Sequence, residues 1–545
     1  MTSNAVNGGG GRRTFDYVIV GGGSEGCVLA NRLTADGKRS VLLLEAGPPD
    51  RYPWIHIPIG YGKTMFNPVL NWGFYSEPEP HLNGRKVYTP RGRTLGGSSA
   101  INGLIQIRGQ PEDFDGWEAR GAEGWNAREA LRYFIRSESN ARGASEHHGG
   151  DGPLAVSDIA GRHALVEALI AASGELGIPR TDDFNGARQD GAGYLQLTTR
   201  NGLRCSAATA YLKPARGRSN LTIETGGHAN GIEFDGRRAV GVRYRRDGAE
   251  TTVRAAREVL LCAGAVQSPQ LLQLSGLGPA ALLREHGIPV VADLPGVGEN
   301  LQDHLLLRLV YKCAQPVTTN DDLRNFWGKA RVGLQWLLFR TGPLSVGVMI
   351  GGMITRAFPD AKTPDIQFFL STVSAEERGA KPHRFSGFTL NFYPLRPTSR
   401  GTIRIKSRDP AAAPALLFNY LSTEYDRSLM IEGTKLTRRL MATRAFAPYV
   451  LGEYKPGPAV RTDDEILECL RNNATTGFHP VGTCRMGRDA GAVVDPRLRA
   501  HGVRGLRVVD ASVMPTLVSG NTNAATIMIA EKAADMILVD ARSTE

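Results

Sequence analysis

The sequence is poor in cysteine, and the spacing of its cysteines excludes two kinds of site. The six cysteines are scattered through 545 residues without a CxxC pair: Cys27, Cys205, Cys262, Cys313, Cys469 and Cys484. Scattered thiols are typical of a cytosolic protein rather than of a disulfide framework. His479 lies near Cys484, but two further ligands at suitable spacing are missing, so we expect no metal site.

Long hydrophobic runs are also missing. No stretch approaches the roughly 18–20 uninterrupted apolar residues that a membrane helix needs. The first residues, "MTSNAVNGGGGRRTFD", have glycines where a signal peptide has its apolar core, so we expect residues 1–13 to be a disordered lead-in. Export by the usual route is therefore not expected, and we expect a cytoplasmic protein.

The net charge of +11 comes without any basic run. Arginines are spread along the whole chain, often beside acidic residues, as in "REALRYFIRSES", and no aromatic residues alternate with them. This distribution is typical of a solvated surface, so we expect no nucleic-acid partner. Loose association with an anionic membrane surface, at the inner face, stays open as an alternative, and the oligomeric state is also open.

The most informative stretch is "FDYVIVGGGSEGCVLANRLTADGKRSVLLLEAG" at residues 15–47. The apolar run at 17–20 predicts a buried parallel strand, and Gly21, Gly23 and Gly26 then form a G-x-G-x-x-G motif. A helical pattern follows, and "SVLLLEAG" predicts a second buried strand that ends at Glu45. A glycine motif inside a complete strand–helix–strand unit strongly favours dinucleotide binding.

Each part of this unit has a physical role. Gly21 permits the tight turn, Gly23 lets the main chain approach a pyrophosphate, and Gly26 lets helix and strand pack closely. The helix N-terminus attracts phosphates. Glu45, 19 residues after Gly26, is placed to accept hydrogen bonds from a ribose, but it does not choose between NAD and FAD. Glu25 is unusual so close to phosphates, and its simplest interpretation is a solvent-facing acid that favours the helix dipole.

Four further segments follow in order: "RGRTLGGSSAINGLIQIRG" at 91–109, "GAVQSPQLLQLSGLG" at 264–278, "DLPGVGENLQDH" at 293–304 and "GLRVVDASVMPTLVSGNTNAATIMIAEKAADMI" at 505–537. With them the chain resembles the glucose–methanol–choline (GMC) flavoprotein oxidoreductases over roughly residues 15–538. It looks closest to the bacterial choline dehydrogenases and other acceptor-linked alcohol dehydrogenases. Gln106 departs from the family pattern, in which an aromatic residue or alanine is usual.

The resemblance implies an α/β fold (α+β overall), with a Rossmann-like FAD-binding domain and a second, substrate domain built on an antiparallel sheet with helices. We expect the FAD-binding part at residues 14–312, a mainly substrate-binding part at 313–470, and a C-terminal return to the FAD domain at 471–541. In the second part, "PDIQFFLSTV", "GFTLNFYPL" and "GTIRIKS" predict strands. "NFWGKARVGLQWLLF" and "DRSLMIEGTKLTRRLMATRAF" predict helices.

The resemblance also implies FAD. The cofactor would be bound non-covalently, because Ile101 stands where some relatives carry the histidine that attaches it. Carried over by motif, the residues that would hold FAD are Gly21, Gly23, Ser24 and Gly26 at the pyrophosphate, Glu45 at the adenosine ribose, Arg93, Gly97, Ser98, Asn102 and Gly103 along the flavin and ribityl chain, Ala229 at the adenine, and Asp510, Ala511 and the segment from Asn521 to Asn523 at the flavin end.

The segment "GFHPVGTCRMG" at 477–487 is similar to the active-site segment of the family, and His479 is the matching histidine. The second catalytic position falls on Asn523, 44 residues later, with Asn521 as a near neighbour that a one-step shift would select. An imidazole is a suitable base near neutral pH. A neutral asparagine can donate a hydrogen bond to the oxygen on which negative charge develops.

These residues imply FAD-dependent oxidation of a primary alcohol to an aldehyde by hydride transfer to flavin N5, with electrons passed to a quinone or another carrier. The alternatives are an oxidase that uses O2 and forms hydrogen peroxide, and a non-redox lyase on the same scaffold. No acidic cluster is visible for a cationic substrate such as choline, so we expect an uncharged aliphatic or benzylic alcohol. The candidate pocket residues are Trp54, His56, Met65, Phe66, Val346, Met349, Phe368 and Phe392.

Overall fold

The computed structural model describes residues 13–542. The lead-in expected at residues 1–13 lies outside the described residues, except for Arg13. Two large sheets, one mainly parallel and one antiparallel, form the frame on which the other elements pack.

Most strands belong to these two sheets, and the rest form short two-stranded ladders. The strands are β1 Thr14–Val20, β2 Val41–Glu45, β3 Phe74–Tyr75, β4 Tyr88–Thr89, β5 Glu138–Asn140, β6 Leu154–Val156, β7 Gly191–Tyr194, β8 Thr199–Arg200, β9 Leu203–Arg204, β10 Leu221–Thr225, β11 His228–Asp235, β12 Arg238–Arg246, β13 Ala249–Leu261, β14 Leu277–Gly278, β15 Ala292–Asp293, β16 Leu305–Cys313, β17 Met349–Thr355, β18 Ile366–Ser371, β19 Gly387–Pro394, β20 Thr402–Arg404, β21 Ala415–Leu417, β22 Val450–Lys455, β23 Thr475–Thr476 and β24 Leu506–Val508.

The helices range from single turns to the long C-terminal helix. They are α1 Ser24–Leu33, α2 Pro53–His56, α3 Tyr61–Thr64, α4 Pro111–Ala119, α5 Ala127–Ser137, α6 Ala164–Glu175, α7 Lys213–Ala215, α8 Gly264–Leu274, α9 Ala280–Glu285, α10 Thr319–Asp322, α11 Phe326–Phe339, α12 Glu424–Met441, α13 Asp463–Asn473 and α14 Thr522–Arg542. Short 3-10 segments occur at Pro58–Gly60, Pro80–Leu82, Gly97–Ala100, Pro343–Ser345 and Ala511–Val513, and a π-helical turn at Ala208–Leu212.

The first sheet carries the nucleotide motif. Its order is β10-β2-β1-β13-β12-β11, with β24 beside β13. The strands β10, β2, β1, β13 and β24 run parallel, whereas β12 and β11 continue the sheet as an antiparallel pair. The β1–α1–β2 unit expected from the sequence is confirmed, and the residues of β2 are all buried. Burial of continuous apolar strands is what a parallel sheet covered by helices requires.

The second sheet is antiparallel throughout and has the order β22-β16-β19-β18-β17-β7, with β23 beside β16. Helix α12 covers its outer face so closely that a Cβ on Gly433 would lie 2.4 Å from the ring of Phe392. The strands and helices expected between residues 313 and 470 are confirmed as β18, β19, β20, α11 and α12.

The boundary expected between residues 312 and 313 does not separate the two sheets. Strand β7 and nearly all of β16 precede residue 313, yet both belong to the second sheet. The chain therefore crosses between the two sheets several times. Among the described residues 13–542, no helix is both long enough and apolar enough to cross a membrane.

Candidate active site

The turn between β1 and α1 has room only for glycine at two positions. Gly21 has a φ of +107°, and a Cβ there would lie 2.3 Å from the carbonyl oxygen of Cys262. A Cβ on Gly26 would lie 1.9 Å from the carbonyl oxygen of Gly21. By contrast, the nearest atom to a Cβ on Gly23 would be the Glu25 carboxylate at 3.3 Å. The main chain at Gly23 is therefore open to a ligand, as a pyrophosphate-binding turn requires.

Glu45 ends β2 beside this turn. Its Oε2 accepts a hydrogen bond from the amide of Gly22 at 2.9 Å, and its Oε1 accepts one from the amide of Gly47 at 2.7 Å. Burial raises the pKa of Glu45 to about 7, although both amides oppose the shift. The second glycine-rich loop packs directly on the turn, because a Cβ on Gly97 would lie 2.7 Å from the Cα of Gly23.

A cavity of about 970 Å³ extends from this turn to the second sheet. Its walls combine main-chain groups of the glycine-rich segments with side chains of the antiparallel sheet. The sequence-predicted residues that line it are Gly21, Gly23, Ser24, Glu45, Gly97, Ser98, Asn102, Gly103, Ala229, His479, Ala511, Asn521 and Asn523. Segments that are distant in the sequence thus converge on one cavity.

Three predicted cofactor residues lie behind the cavity wall: Gly26, Arg93 and Asp510. Gly26 packs under Gly21, as described above. The guanidinium of Arg93 lies over the ring of Trp72, 4.9 Å from its centroid. Asp510 accepts hydrogen bonds from the amides of Gly264 at 3.0 Å and Ser512 at 2.8 Å. These contacts support the wall rather than form it.

Glu25 does not face solvent, so that interpretation is wrong. Its exposed fraction is 6%, and its carboxylate is part of the cavity wall. Burial and the nearby charge of Asp510 raise the pKa of Glu25 well above its usual range. Helix α1 is covered by other elements over almost its whole surface, which a local helical pattern does not reveal.

His479 stands on a strained and firmly held main-chain segment. The residue before it, Phe478, has a φ of +70°, which is uncommon for a residue other than glycine. The Phe478 carbonyl accepts a hydrogen bond from Arg91 Nη2 at 2.7 Å. The amide of His479 donates to Asp303 Oδ1 at 2.6 Å. Asp303 also accepts from the hydroxyls of Tyr420 and Thr476, so its carboxylate is fully used in holding this segment.

A second histidine determines which nitrogen of His479 carries the proton. His304 Nε2 lies 3.0 Å from the carbonyl oxygen of Leu395, which can only accept, so Nε2 must donate. Burial lowers the pKa of His304 to about 3, so the ring is neutral and its Nδ1 is an acceptor. The Nδ1 of His479, 2.9 Å away, must then be the donor. The Nε2 of His479 is left unprotonated toward the cavity.

Burial and nearby positive charge keep His479 neutral. Burial lowers its pKa well below the usual value, and the positive charges of Arg91 and Arg378 lower it further. A neutral imidazole with an unprotonated Nε2 at a cavity wall has the protonation state that a general base needs.

The structure places Asn521, rather than Asn523, against this nitrogen. Asn521 Nδ2 lies 3.1 Å from His479 Nε2. Asn523 instead accepts a hydrogen bond from the hydroxyl of Ser24 at 2.9 Å. The sequence-based choice of Asn523 therefore differs from the observed geometry by two residues, because Asn521 precedes the first residue of α14 and Asn523 lies inside its first turn.

Of the eight candidate pocket residues, Trp54, Met65 and Met349 line the cavity. Phe368 and Phe392 are directly paired across β18 and β19, but they point away from it into the core under α12. Their neighbours Phe369 and Tyr393 line the cavity instead. Successive side chains of a strand point to opposite faces, so an error of one residue moves a side chain to the wrong side.

The other three candidates also lie outside the cavity wall. His56 contacts the carbonyl oxygen of Asp50 at 2.7 Å. Phe66 is 42% exposed and stacks on Tyr88. Val346 is half-buried and packs against the core clusters of the second sheet.

Sequence reasoning missed several residues that line or support the site, among them Asp303, His304, Arg308 and Arg378. Asp303 and His304 end the segment "DLPGVGENLQDH", for which the sequence indicated no role. For Arg308 the available signal was an arginine inside the apolar run "LLLRLVY" of β16. No local signal marks Arg378, which lies in the loop between β18 and β19.

Comparison with known proteins matches most of the chain to one family. Residues 15–306 and 397–530 match the N-terminal and C-terminal models of GMC oxidoreductase. The chain belongs to the GMC oxidoreductase family. It is 46% identical to the oxygen-dependent choline dehydrogenase of Pseudomonas aeruginosa (strain LESB58), over 96% of this chain and 94% of that protein. It is 44% identical to that of Brucella ovis, over 96% and 95%.

Solved structures show the same relationship for this GMC oxidoreductase. The pyridoxine 4-oxidase from Mesorbium loti superposes with a TM-score of 0.88 and 32% identity, over 96% of this chain and 99% of that chain. A formate oxidase from Aspergillus oryzae RIB40, carrying the R554A mutation, gives a TM-score of 0.91 and 27% identity, over 98% and 99%. The chain is an FAD-dependent oxidoreductase that acts on CH–OH groups, and FAD is its cofactor.

The residues present fit FAD. Gly21 and Gly26 give the turn its tight packing, and Gly23 is open where a diphosphate would approach. Glu45 offers a buried carboxylate at the end of β2. At the opposite end, the buried Oδ1 of Asn521 has no hydrogen-bond partner among the described residues, so it is free to accept one. A large cavity with few, well-placed polar groups is typical of cofactor sites.

Proposed function

We propose that this GMC oxidoreductase oxidises a primary alcohol to an aldehyde, with His479 as the base. The observation that supports this most strongly is the hydrogen-bond chain from Leu395 through His304 to His479. It leaves the Nε2 of His479 unprotonated at the cavity wall, where a substrate hydroxyl can donate to it.

We assign a separate role in this reaction to each of three residues. The alcohol O–H donates to Nε2 of His479 and transfers its proton there, while Nδ1–H of the same ring stays bonded to His304. As negative charge builds on the substrate oxygen, Asn521 Nδ2 donates to it without competing for the proton. When bound, FAD supplies the acceptor that takes the hydride from the alcohol carbon. Asp303 holds the main chain at His479, so the base needs no rearrangement.

The remaining parts of the proposal concern the cofactor linkage and the electron acceptor. We propose that FAD is bound non-covalently, since Ile101 offers no group for attachment. The acceptor expected from the sequence is a quinone or another carrier. The alternative is O2 with hydrogen peroxide as product, and two observations favour it: the matched relatives are named oxygen-dependent choline dehydrogenases, and several matched structures are oxidases.

The test is reduction of the bound flavin by alcohols without oxygen. Mixing purified protein anaerobically with a panel of primary alcohols should bleach the oxidised-flavin absorbance, and His479→Ala should slow this by roughly 10²–10⁴-fold while FAD stays bound. His81→Ala, at an exposed histidine, is the matched control and should behave like the unmodified protein. Near-normal reduction by His479→Ala would contradict the base assignment. Admission of air to the reduced protein then measures reactivity with O2.

A further inference from the structure

Two arginines face the cavity from the second sheet. Arg308 lies on β16, where its Cα pairs with that of Asn391 on β19. Arg378 lies in the loop that joins β18 to β19. Both side chains line the cavity, together with Asn391 and Tyr393, at the wall that the antiparallel sheet provides. The nucleotide turn is built from the other sheet, so these cations belong to the part of the cavity left for a substrate.

Neither guanidinium has a carboxylate partner among the described residues. Arg308 Nη2 donates to the carbonyl oxygen of Ala375 at 3.2 Å, and Arg378 Nη1 donates to that of Thr476 at 3.2 Å. Glu376 and Glu377 attract Arg308, and Asp303 attracts Arg378, but only through longer-range electrostatic interaction, because neither arginine forms an ion pair within residues 13–542. A guanidinium has five N–H donors, so most of the donors on each side chain remain available.

The nearby carboxylates are used elsewhere or stand in solvent. Asp303 is occupied by Tyr420, Thr476 and the amide of His479. Glu376 is exposed and accepts hydrogen bonds from Tyr454 and His383. Glu377, also exposed, lines the rim of the cavity without pairing with either arginine.

The positive charge of Arg308 also affects Arg378. Burial lowers the pKa of Arg378 to about 10, and the charge of Arg308 contributes to this lowering. Burial lowers the pKa of Arg308 as well. Two like charges in a partly enclosed wall are unfavourable unless an anion joins them. Such an anion would need to arrive with the ligand, since no carboxylate among the described residues pairs directly with either arginine.

We propose that Arg308 and Arg378 bind a carboxylate carried by the alcohol substrate. The inference rests on the proposed function and adds a substrate class to it. Arg378 lies over the ring of Phe478, with its Cζ 4.5 Å from the centroid, and Phe478 directly precedes His479. A carboxylate held there would place the rest of a small substrate beside the base. Guanidinium groups match the planar geometry of carboxylates.

This class differs from the uncharged alcohol expected from the sequence, because the sequence did not reveal that the two arginines share a wall. It differs also from choline. A quaternary ammonium group in this part of the cavity would meet two positive charges, which disfavours binding.

The first experiment measures binding without turnover. Benzoate, benzamide and phenyltrimethylammonium are titrated into the FAD-loaded protein, and the change in the oxidised-flavin spectrum gives each Kd. We expect benzoate to bind roughly 10–100-fold more tightly than benzamide, the range typical of charge-assisted hydrogen bonds. Arg308→Gln and Arg378→Gln should each remove most of this preference. Arg439→Gln, at an exposed arginine on α12, removes the same charge far from the cavity and should leave the preference intact.

A Kd for benzoate no lower than that for benzamide would overturn the proposal, as would a preference unchanged in both cavity variants. If the glutamine variants fail to retain FAD, the Kd values of the three ligands for the unmodified protein still test the proposal.

The second experiment separates this inference from the proposed function. The rate of anaerobic flavin reduction is compared for 4-(hydroxymethyl)benzoate, 4-(hydroxymethyl)benzamide and choline. A preference of roughly tenfold or more for the carboxylate supports the inference. Equal or better reduction by the amide or by choline overturns it but leaves alcohol oxidation in place. If none of the alcohols reduces the flavin, the proposed function fails, while the benzoate titration still decides whether the arginine pair binds carboxylates.

Discussion

The two ends of the cavity differ in the groups that form their walls. At the nucleotide end the wall is mainly main chain, with glycines that leave no room for a side chain and one carboxylate at the end of β2. At the substrate end the wall consists of side chains from the antiparallel sheet and its loops, including Arg308, Arg378 and Tyr393. Between the two ends stands His479, held by residues from several segments.

This difference separates what is general from what is specific. We expect a main-chain cradle to bind the phosphates of FAD whatever the substrate is, because its shape depends on glycines that leave no room for a side chain. Side chains at the other end can change without disturbing the sheets, so they can set substrate preference. Mutations at the nucleotide end should therefore affect FAD binding, whereas mutations at the substrate end should affect substrate preference.

The largest effect is expected at the nucleotide end. In Gly26→Ala the new Cβ would lie 1.9 Å from the carbonyl oxygen of Gly21, so α1 must move away from β1. We expect loss of most bound FAD and of about 3 kcal/mol of folding free energy, the upper end for overpacking. The ratio of flavin to protein absorbance and the Tm measure both.

A matched glycine shows whether this effect is local. Gly174 lies in α6, and a Cβ added there would have no atom within 4 Å, so Gly174→Ala should keep FAD and gain about 1 kcal/mol from helix propensity. Equal FAD content in the two variants would show that the turn at Gly26 has more freedom than its packing indicates.

An intermediate effect is expected where the two ends meet. Asn521→Ala removes the donor beside His479 Nε2, and we expect anaerobic flavin reduction to slow by roughly 10²-fold while FAD stays bound. Asn523→Ala loses only the hydrogen bond from Ser24, so it should affect FAD retention more than the reduction rate. Stopped-flow absorbance measures both variants. The reverse pattern would restore the sequence-based assignment of the catalytic role to Asn523.

The smallest effect is expected from pH. The pKa of His479 lies well below 6.5 and that of His304 is about 3, so both rings are already neutral at neutral pH. Because the neutral base is the active form, the rate of flavin reduction by benzyl alcohol should stay level between about pH 6.5 and pH 9 and fall only in more acidic solution. A rate that halves near pH 6.5 or above would show that His479 is not held neutral by its surroundings.

Local patterns predicted the nucleotide end well. The strand–helix–strand unit is contiguous, and Glu45 ends the strand expected for it. Gly21 and Gly26 are required by close contacts within that unit or with Cys262 after β13. The sequence also pointed to His479, which lines the cavity, because the motif around it is similar to a family segment. Several elements of the substrate part were found as well, since the strands and helices there have clear hydrophobic patterns.

Local sequence patterns gave wrong predictions where the answer depends on which face of a strand a side chain points to, or on contacts with residues distant in the sequence. Phe368 and Phe392 were expected in the pocket, but the alternation of the strand turns Phe369 and Tyr393 toward it. Glu25 was interpreted as solvent-facing, yet elements far away in the chain bury it. Asn521 and Asn523 are distinguished only by where α14 begins relative to His479.

From its order of residues alone, the chain determined a dinucleotide fold and its glycine-dependent turn, and its resemblance to the family pointed to His479 as the base. The fold and the turn follow from one contiguous stretch, whereas the choice of His479 follows from the similarity of its segment to the family motif. Only the tertiary structure decided that His304 sets the proton of His479, that Asn521 is the neighbouring amide, and that Arg308 and Arg378 share one wall. These relationships join residues from separate strands and loops, and the distance between such residues depends on how the two sheets pack.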